Sequence, residues 1–215
     1  MITMLTGGTA ETLLMVFVST FMGYVIGMPL GVLLTIFDSD GISPHPIAYK
    51  ILDFIINITR SVPFLILLIL IQPFTKLIVG KSYGTTATIV PLTVAAAPFI
   101  ARMVESSLKE VDHGVIEAAV SLGARKTTII TKVLIAEART SLLVGVTIAL
   151  GTILGYSAMS GVVGGGGLGD IAIRYGYYRY ETGIMLITVV VLVVLMQILQ
   201  WLGMILSKKL DRRRG

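Results

Sequence analysis

The residues from Asp112 to Gly123 have the types and spacing of a short docking helix. Asp112 can cap a helix N-terminus by accepting a hydrogen bond from a backbone N–H, and Gly123 can end the helix by adopting a positive φ. About ten residues fit between them, and their apolar face comprises Val115, Ile116, Ala119 and Val120. The face is narrow and includes a small side chain, Ala119. Such a face suits a helix that enters a groove on another protein. The chemistry predicted for this segment is non-covalent binding of a partner.

No catalytic group of residues is recognisable elsewhere. Cys is absent, which excludes disulfides and thiolate metal sites. His45 and His113 are isolated in predicted loops, without a second ligand at metal-binding spacing. The middle of each strongly apolar run carries no charge, whereas an ion-coupled pump or a proton relay is expected to keep one there. We therefore expect no enzyme activity, no metal and no cofactor in this chain.

The elements that must position the docking helix are membrane spans. Of the 215 residues, 55% are hydrophobic and only 13% are charged, with a mean hydropathy of +0.91. Soluble domains carry roughly 25% charged residues, so this chain has too few to cover a water-soluble globule. The composition excludes soluble enzymes and nucleic-acid-binding proteins. We interpret the net charge of +5 as a signal of membrane orientation, not of nucleic acid.

Charge-poor runs predict five spans, since a bilayer-crossing helix needs about 20 apolar residues. Four are clear: residues 12–37, 82–101, 140–169 and 182–207. The fifth, residues 61–75, is short and reaches Val79 only if Lys76 snorkels to the interface. No repeat or low-complexity linker divides the chain. The prediction is an all-α integral membrane protein, a single domain over residues 1–215 with a loop at about 103–139.

The Lys and Arg residues predict the orientation. Five spans place the two termini on opposite sides of the membrane. Thirteen of the 17 basic residues fall on the side of the 103–139 loop, including Lys208, Lys209 and residues 212–214. The positive-inside rule then places this loop and the C-terminus in the cytoplasm and the N-terminus outside.

One motif in the loop is specific to a family. Glu117, Ala118 and Ala119, then three residues, then Gly123, with an apolar patch at Val133 and Ile135, resemble the signature loop of permease subunits of bacterial ABC importers. The resemblance implies a type I permease fold whose loop forms a coupling helix seated on a separate ATP-hydrolysing subunit. Glu117 would then be the charged anchor, Ala118 and Ala119 the small residues that permit close approach, and Gly123 the turn. The chain departs from the family at Ala136, where proline is usual.

Three further stretches resemble the methionine-importer permeases of this family: residues 60–64, 156–159, and 164–170 followed by 173–177. This resemblance implies a permease for methionine or a related small amino acid in the bacterial inner membrane. It also implies two ATP-binding subunits that carry ATP and Mg, an extracytoplasmic amino-acid-binding protein and surrounding lipid as partners.

Five helices are few to enclose a path for a zwitterionic amino acid, so we expect a homodimer with the path on its two-fold axis. The predicted gate lies near the outer end of the fourth span and comprises Tyr156, Ser157, Met159 and Ser160. Methionine repacks easily, and Tyr and Ser supply hydrogen bonds at a membrane interface. Arg60 and Ser61 mark the predicted cytoplasmic mouth. Core packing of Met159 and interfacial anchoring of Arg60 are the alternatives.

Glycines predict close packing at two places. Gly23, Gly27 and Gly31 are four residues apart on one helical face, and we favour packing within the chain over a dimer seam there. The run from Gly164 to Gly169 is predicted to break the fourth span and to let the chain approach itself closely at the external face. A flexible loop is the alternative for that run.

The residues alone leave two other functional classes open. A self-contained channel or secondary carrier would use the prolines and the broken glycine segment as its path. A structural membrane subunit of a larger complex would transport nothing. Transport by this chain without an ATPase would favour the first of these, and absence of solute flux with every partner would favour the second.

Overall fold

The structure is a computed structural model that describes residues 1–210, and every regular element within that range is helical. The α-helices, in chain order, are α1 (Ile2–Phe37), α2 (Pro46–Ser61), α3 (Phe64–Leu70), α4 (Gln72–Val79), α5 (Thr85–Lys109), α6 (His113–Ser121), α7 (Lys126–Thr128), α8 (Ile135–Glu137), α9 (Arg139–Met159), α10 (Gly167–Ile171) and α11 (Thr182–Leu210). Three tighter or wider helical turns connect some of them: Ser160–Val163 is 3₁₀, and Ile129–Leu134 and Ala172–Tyr177 are π-helical.

Four described helices are long and apolar enough to cross a membrane, namely α1, α5, α11 and α9 with its 3₁₀ extension. These correspond to the four clear predictions from sequence. A fifth candidate is the pair α2 and α3, whose axes differ by 99°. The all-helical class and the count of up to five spans are thus confirmed. Lys208 and Lys209 lie in α11, and residues 212–214 of the orientation count lie outside the described residues.

The second predicted span, residues 61–79, differs from expectation because it is two short helices. α3 ends at Leu70, Ile71 adopts φ −94° and ψ 9°, and α4 begins at Gln72. Pro73 occupies the first turn of α4, where its missing N–H removes the bond that would continue α3. The break follows from this proline, because a ring at position 73 also crowds the preceding turn.

The glycine face of α1 packs within the chain, as favoured from sequence. Cβ atoms added at Gly23 and Gly31 would meet Ala96 and Val104 of α5 at 2.7 Å. At Gly27 an added Cβ would collide with the carbonyl oxygen of Ala97. Only glycine therefore allows the two helices to approach this closely. The resulting core contains fully buried Met15, Val16, Leu92, Ile100 and Ile153 from α1, α5 and α9, and α3 and α11 also contribute to it.

The glycine run after α9 is a packed structure and not a flexible loop. Gly164, Gly166 and Gly167 have φ between 73° and 82°, which ends the 3₁₀ turn that follows α9 and directs the chain into α10. The N–H groups of Gly167 and Leu168 donate to Glu11 Oε2 at 2.7 Å and to Thr12 Oγ1 at 2.9 Å. The predicted break and close approach are confirmed, with α1 supplying the caps for α10.

α5 extends beyond its predicted end, which corrects the start of the 103–139 loop. The helix continues to Lys109, so the connection to α9 comprises residues 110–138. Val104 and Leu108 remain buried in the core along this extension. The extra two turns therefore form because their apolar face has a partner, although Arg102, Glu105 and Lys109 interrupt the hydropathy.

Candidate coupling and translocation sites

α6 is capped at both ends as the sequence predicts. Asp112 accepts a hydrogen bond from the N–H of Gly114 at 2.7 Å. At the other end Gly123 has φ +73° and donates to the Val120 carbonyl, and Ala124 donates to the Ala119 carbonyl at 3.1 Å. These two bonds form a Schellman motif, so local residues fix both the length and the exit direction of α6.

The surface of α6 is open. The helix has no buried residue; Val115 and Val120 are 43% and 53% exposed, and Leu122 beyond its end is 87% exposed. Glu117 and Ala118 are exposed too, whereas Ile116 and Ala119 are half-buried. Several exposed apolar residues around a carboxylate are typical of an interface that another protein covers.

Contacts on the side of α6 that faces the bundle hold this helix in place. Ile116 packs against the main core. It also lines a cleft of about 280 Å³ between α6 and the segment after α1, together with Asp38, Lys109 and His113. Lys126 is the first residue of α7, and its Nζ lies 2.9 Å from Ser43 Oγ. This contact joins α7 to the connection between α1 and α2.

The connection between α6 and α9 is largely helical, although it has Ala136 where proline is usual in the family. Ala136 lies in α8, directly after the π-helical turn Ile129–Leu134. The interruption before α9 comes at Ala138, with φ −79° and ψ −2°. Ile129 and Leu134 are buried, so the segment is fixed on the bundle by apolar contacts.

A charged network at the α6 end of α5 was not found from sequence. Arg102 pairs with Asp53 of α2 and, at 2.7 Å, with Glu105. Lys109 lies 2.9 Å from Glu105 and 2.6 Å from Asp38, just after α1. The hydrogen bond from Lys109 lowers the pKa of the Asp38 carboxyl below its ordinary value of 3.8. The network thus joins α1 and α2 to the helix that leads into α6.

The sequence contains one signal for this network: at helical spacing, Asp53 falls on the face of α2 opposite its apolar residues. Its ion-pair partner Arg102, however, lies 49 residues away in sequence. Tyr49 of the same helix face donates to Glu105 Oε1 at 3.3 Å. The opposite face of α2 is apolar and exposed, including Ile47 at 76% and Phe54 at 63%.

Tyr156 and Arg60, from the predicted gate and mouth, line one cleft of about 220 Å³. The ring of Tyr156 stacks on Phe64 with centroids 4.6 Å apart and planes 2° apart. Phe99 of α5 also lines this cleft. Arg60 and Phe99 line a second cleft of about 310 Å³ as well, which reaches Ser107 and Glu110 near the α6 end.

The other predicted path residues do not join these clefts. Ser157 and Ser160 are buried and donate to carbonyl oxygens of their own segment, at 2.8 Å and 2.6 Å. Ser61 is exposed and donates to the Asn57 carbonyl. Met159 is 47% exposed on the surface of the chain. The two buried serines thus stabilise the end of α9 in this structure.

Residues 27–212 match the family described as "Binding-protein-dependent transport system inner membrane component". This match covers most of the chain. The chain belongs to that family. The predicted location in the bacterial inner membrane and the absence of ATPase machinery from this subunit agree with that membership.

Individual relatives agree with the family. The chain is 51% identical over 205 residues to the probable D-methionine transport system permease protein MetI of Vibrio cholerae, which covers 95% of this chain and 91% of that protein. It is 51% identical over 161 residues to the D-methionine transport system permease protein MetI of Escherichia coli K12, covering 75% and 74%.

Solved structures confirm the type I permease fold. An inward-facing conformation of the MetNI methionine ABC transporter superposes with a TM-score of 0.95 and 48% identity, covering 99% of this chain and 98% of that one. An amino acid ABC transporter whose crystal structure was determined with histidines superposes with a TM-score of 0.80 at 20% identity, which shows a shared fold only.

Proposed function

We propose that this chain is the transmembrane permease subunit of an ATP-driven importer for D- or L-methionine or a related small amino acid. It works as a homodimer with two ATP-binding subunits, which hold ATP and Mg, and receives its substrate from an extracytoplasmic amino-acid-binding protein. The observation that carries this proposal is the coincidence of two features. The chain has high identity to methionine permeases over nearly its full length, and α6 is capped at both ends and exposed.

In this function α6 is the contact with the ATPase subunit. Glu117 is the charged anchor, Ala118 and Ala119 permit close approach, and Gly123 sets the exit of the helix. Closure of the two ATPase subunits on ATP moves α6, and α5 and α9 transmit that movement to the bundle because their cytoplasmic ends flank it. This is a rocking form of alternating access.

The path follows the groove formed by the two clefts that share Arg60 and Phe99. It runs from Glu110 at the α6 end to Tyr156. Met159, exposed on a single chain, is placed to contact the second copy and to close the path there, where a flexible thioether can repack. Ser157 and Ser160 support that position through their bonds to the end of α9, and Ser61 supports Arg60 at the mouth.

Reconstitution tests the proposal. The chain is inserted into proteoliposomes with its ATPase subunits and binding protein, and uptake of radiolabelled D- and L-methionine is measured with ATP, without ATP and with a non-hydrolysable analogue. We expect uptake only with ATP and all subunits. Uptake by this chain alone without ATP would instead establish a channel or secondary carrier.

A further inference from the structure

The cleft between Arg60 and Tyr156 has the chemistry of a subsite for one end of a small amino acid. Phe64, Phe99 and Tyr156 supply aromatic rings, and Val62 and Leu67 supply aliphatic surface. Arg60 lines both this cleft and the adjoining one, which also contains Arg102 and Glu110. A cation beside an aromatic pocket is complementary to a molecule with a carboxylate and an apolar side chain.

Arg60 differs from the neighbouring cation in its charge balance. Arg102 lines the adjoining cleft but is neutralised by Asp53 and Glu105. Arg60 has no acidic partner among the residues that the structure describes, and its side chain is exposed to the cleft. Its guanidinium donors are therefore free for a carboxylate of a ligand.

Glu110 lines the adjoining cleft together with Arg60, but the two form no ion pair in the part of the chain that the structure describes. The region around Arg60 thus keeps a local positive charge. It favours a carboxylate, while an ammonium group can lie over the faces of the adjacent rings.

We infer that Arg60, Phe64, Phe99 and Tyr156 form a substrate subsite in which Arg60 binds the α-carboxylate and the aromatic rings receive an unbranched apolar side chain. This inference rests on the proposed function, because it concerns the path of the same importer. It assigns the permease its own selection for amino acids with a free carboxylate and a long apolar side chain, in addition to selection by the binding protein.

The test uses the assembled permease and ATPase complex. Equilibrium binding of radiolabelled L-methionine is measured without the binding protein, with the ATPase subunits alone as the blank. Norleucine, which keeps the carboxylate and the apolar chain, should compete, and methioninamide, which lacks the carboxylate, should not. Arg60→Gln should weaken binding about tenfold or more, and Arg60→Lys should weaken it less.

Transport gives a second measurement. In proteoliposomes with the binding protein, Arg60→Gln should lower methionine uptake per ATP hydrolysed by about tenfold, whereas Lys50→Gln, on the same helix but outside both clefts, should not. Equal binding and equal uptake per ATP by Arg60→Gln and the wild type would overturn the subsite. Failure of the wild type to import methionine with ATP would instead overturn the proposed function, and the binding competition would still judge the subsite.

Discussion

Lys109 Nζ lies 2.9 Å from Oε1 of Glu105, a carboxylate that is only 6% exposed at the α6 end of α5. The same carboxylate also pairs with Arg102, which in turn contacts Asp53 of α2. One buried anion therefore balances two cations on successive turns and fixes the extension of α5 that leads into α6.

Glu105→Ala should destabilise the protein by about 2 kcal/mol, because it leaves Arg102 and Lys109 partly desolvated with fewer acceptors; partial exposure of both cations keeps the loss below that of a fully buried pair. Thermal unfolding in detergent measures this. Glu110→Ala is the matched control, since Glu110 is exposed. Equal unfolding midpoints for the two variants would contradict a structural role for Glu105.

Gly27→Ala should destabilise the protein by about 1–3 kcal/mol, because the new methyl group would overlap the Ala97 carbonyl of α5. Gly7→Ala in the same helix is the control. No atom lies within 4 Å of its added Cβ, so it should be neutral or slightly stabilising. Unfolding midpoints in detergent distinguish the two. A tolerated alanine at position 27 would show that α1 and α5 can separate.

Gly123→Val should lower stimulated ATP hydrolysis and uptake about 5- to 30-fold, since a β-branched residue at φ +73° costs about 1–2 kcal/mol and alters the exit of α6. Space is not the cause, because nothing lies within 4 Å of an added Cβ. Gly123→Asn should retain most activity, as Asn tolerates the left-handed region. Activity of the valine variant equal to that of asparagine would argue against the backbone explanation.

Glu117→Arg should prevent co-purification of the ATPase subunits and abolish stimulated ATP hydrolysis, while the unfolding midpoint of the permease stays unchanged because Glu117 is exposed. Glu181→Arg makes the same charge change on an exposed residue before α11, at the other end of the bundle. It should leave assembly intact. Normal assembly of the Glu117 variant would remove that residue from the proposed interface.

Asp38 should make the stability of the folded protein depend on pH. Its pKa is lowered in the folded protein by the hydrogen bond from Lys109, so its stabilising effect is present above the ordinary value of 3.8 and is lost as the pH falls through the lower folded-state pKa. Asp38→Asn should cost about 0.5–1 kcal/mol at pH 7, since Lys109 is partly exposed. The difference in unfolding midpoint between variant and wild type should shrink on acidification. A gap that stays constant from pH 7 to pH 3 would be inconsistent with this ion pair.

Local signals were sufficient for α6. Asp112, Gly123 and the residues between them act within one short segment, so the caps, the length and the exposed character of the helix could be read before the fold was known. The break at Ile71 was also local in origin, yet the span prediction missed it. Hydropathy counts apolar residues and does not register that Pro73 lacks a backbone donor.

The sequence by itself determined the membrane class, four of the spans, the glycine face of α1 and the two caps of α6, because hydropathy, spacing and backbone conformation act over a few turns of chain. Only the tertiary structure decided which charges pair and which path residues meet. Arg60 and Tyr156 come from separate helices nearly a hundred residues apart. In the Glu105 network, Asp53 and Arg102 are 49 residues apart and also belong to different helices. Their contacts depend on how α2, α5 and α9 cross. The hydrophobic periodicity of one helix contains no information about the position of another.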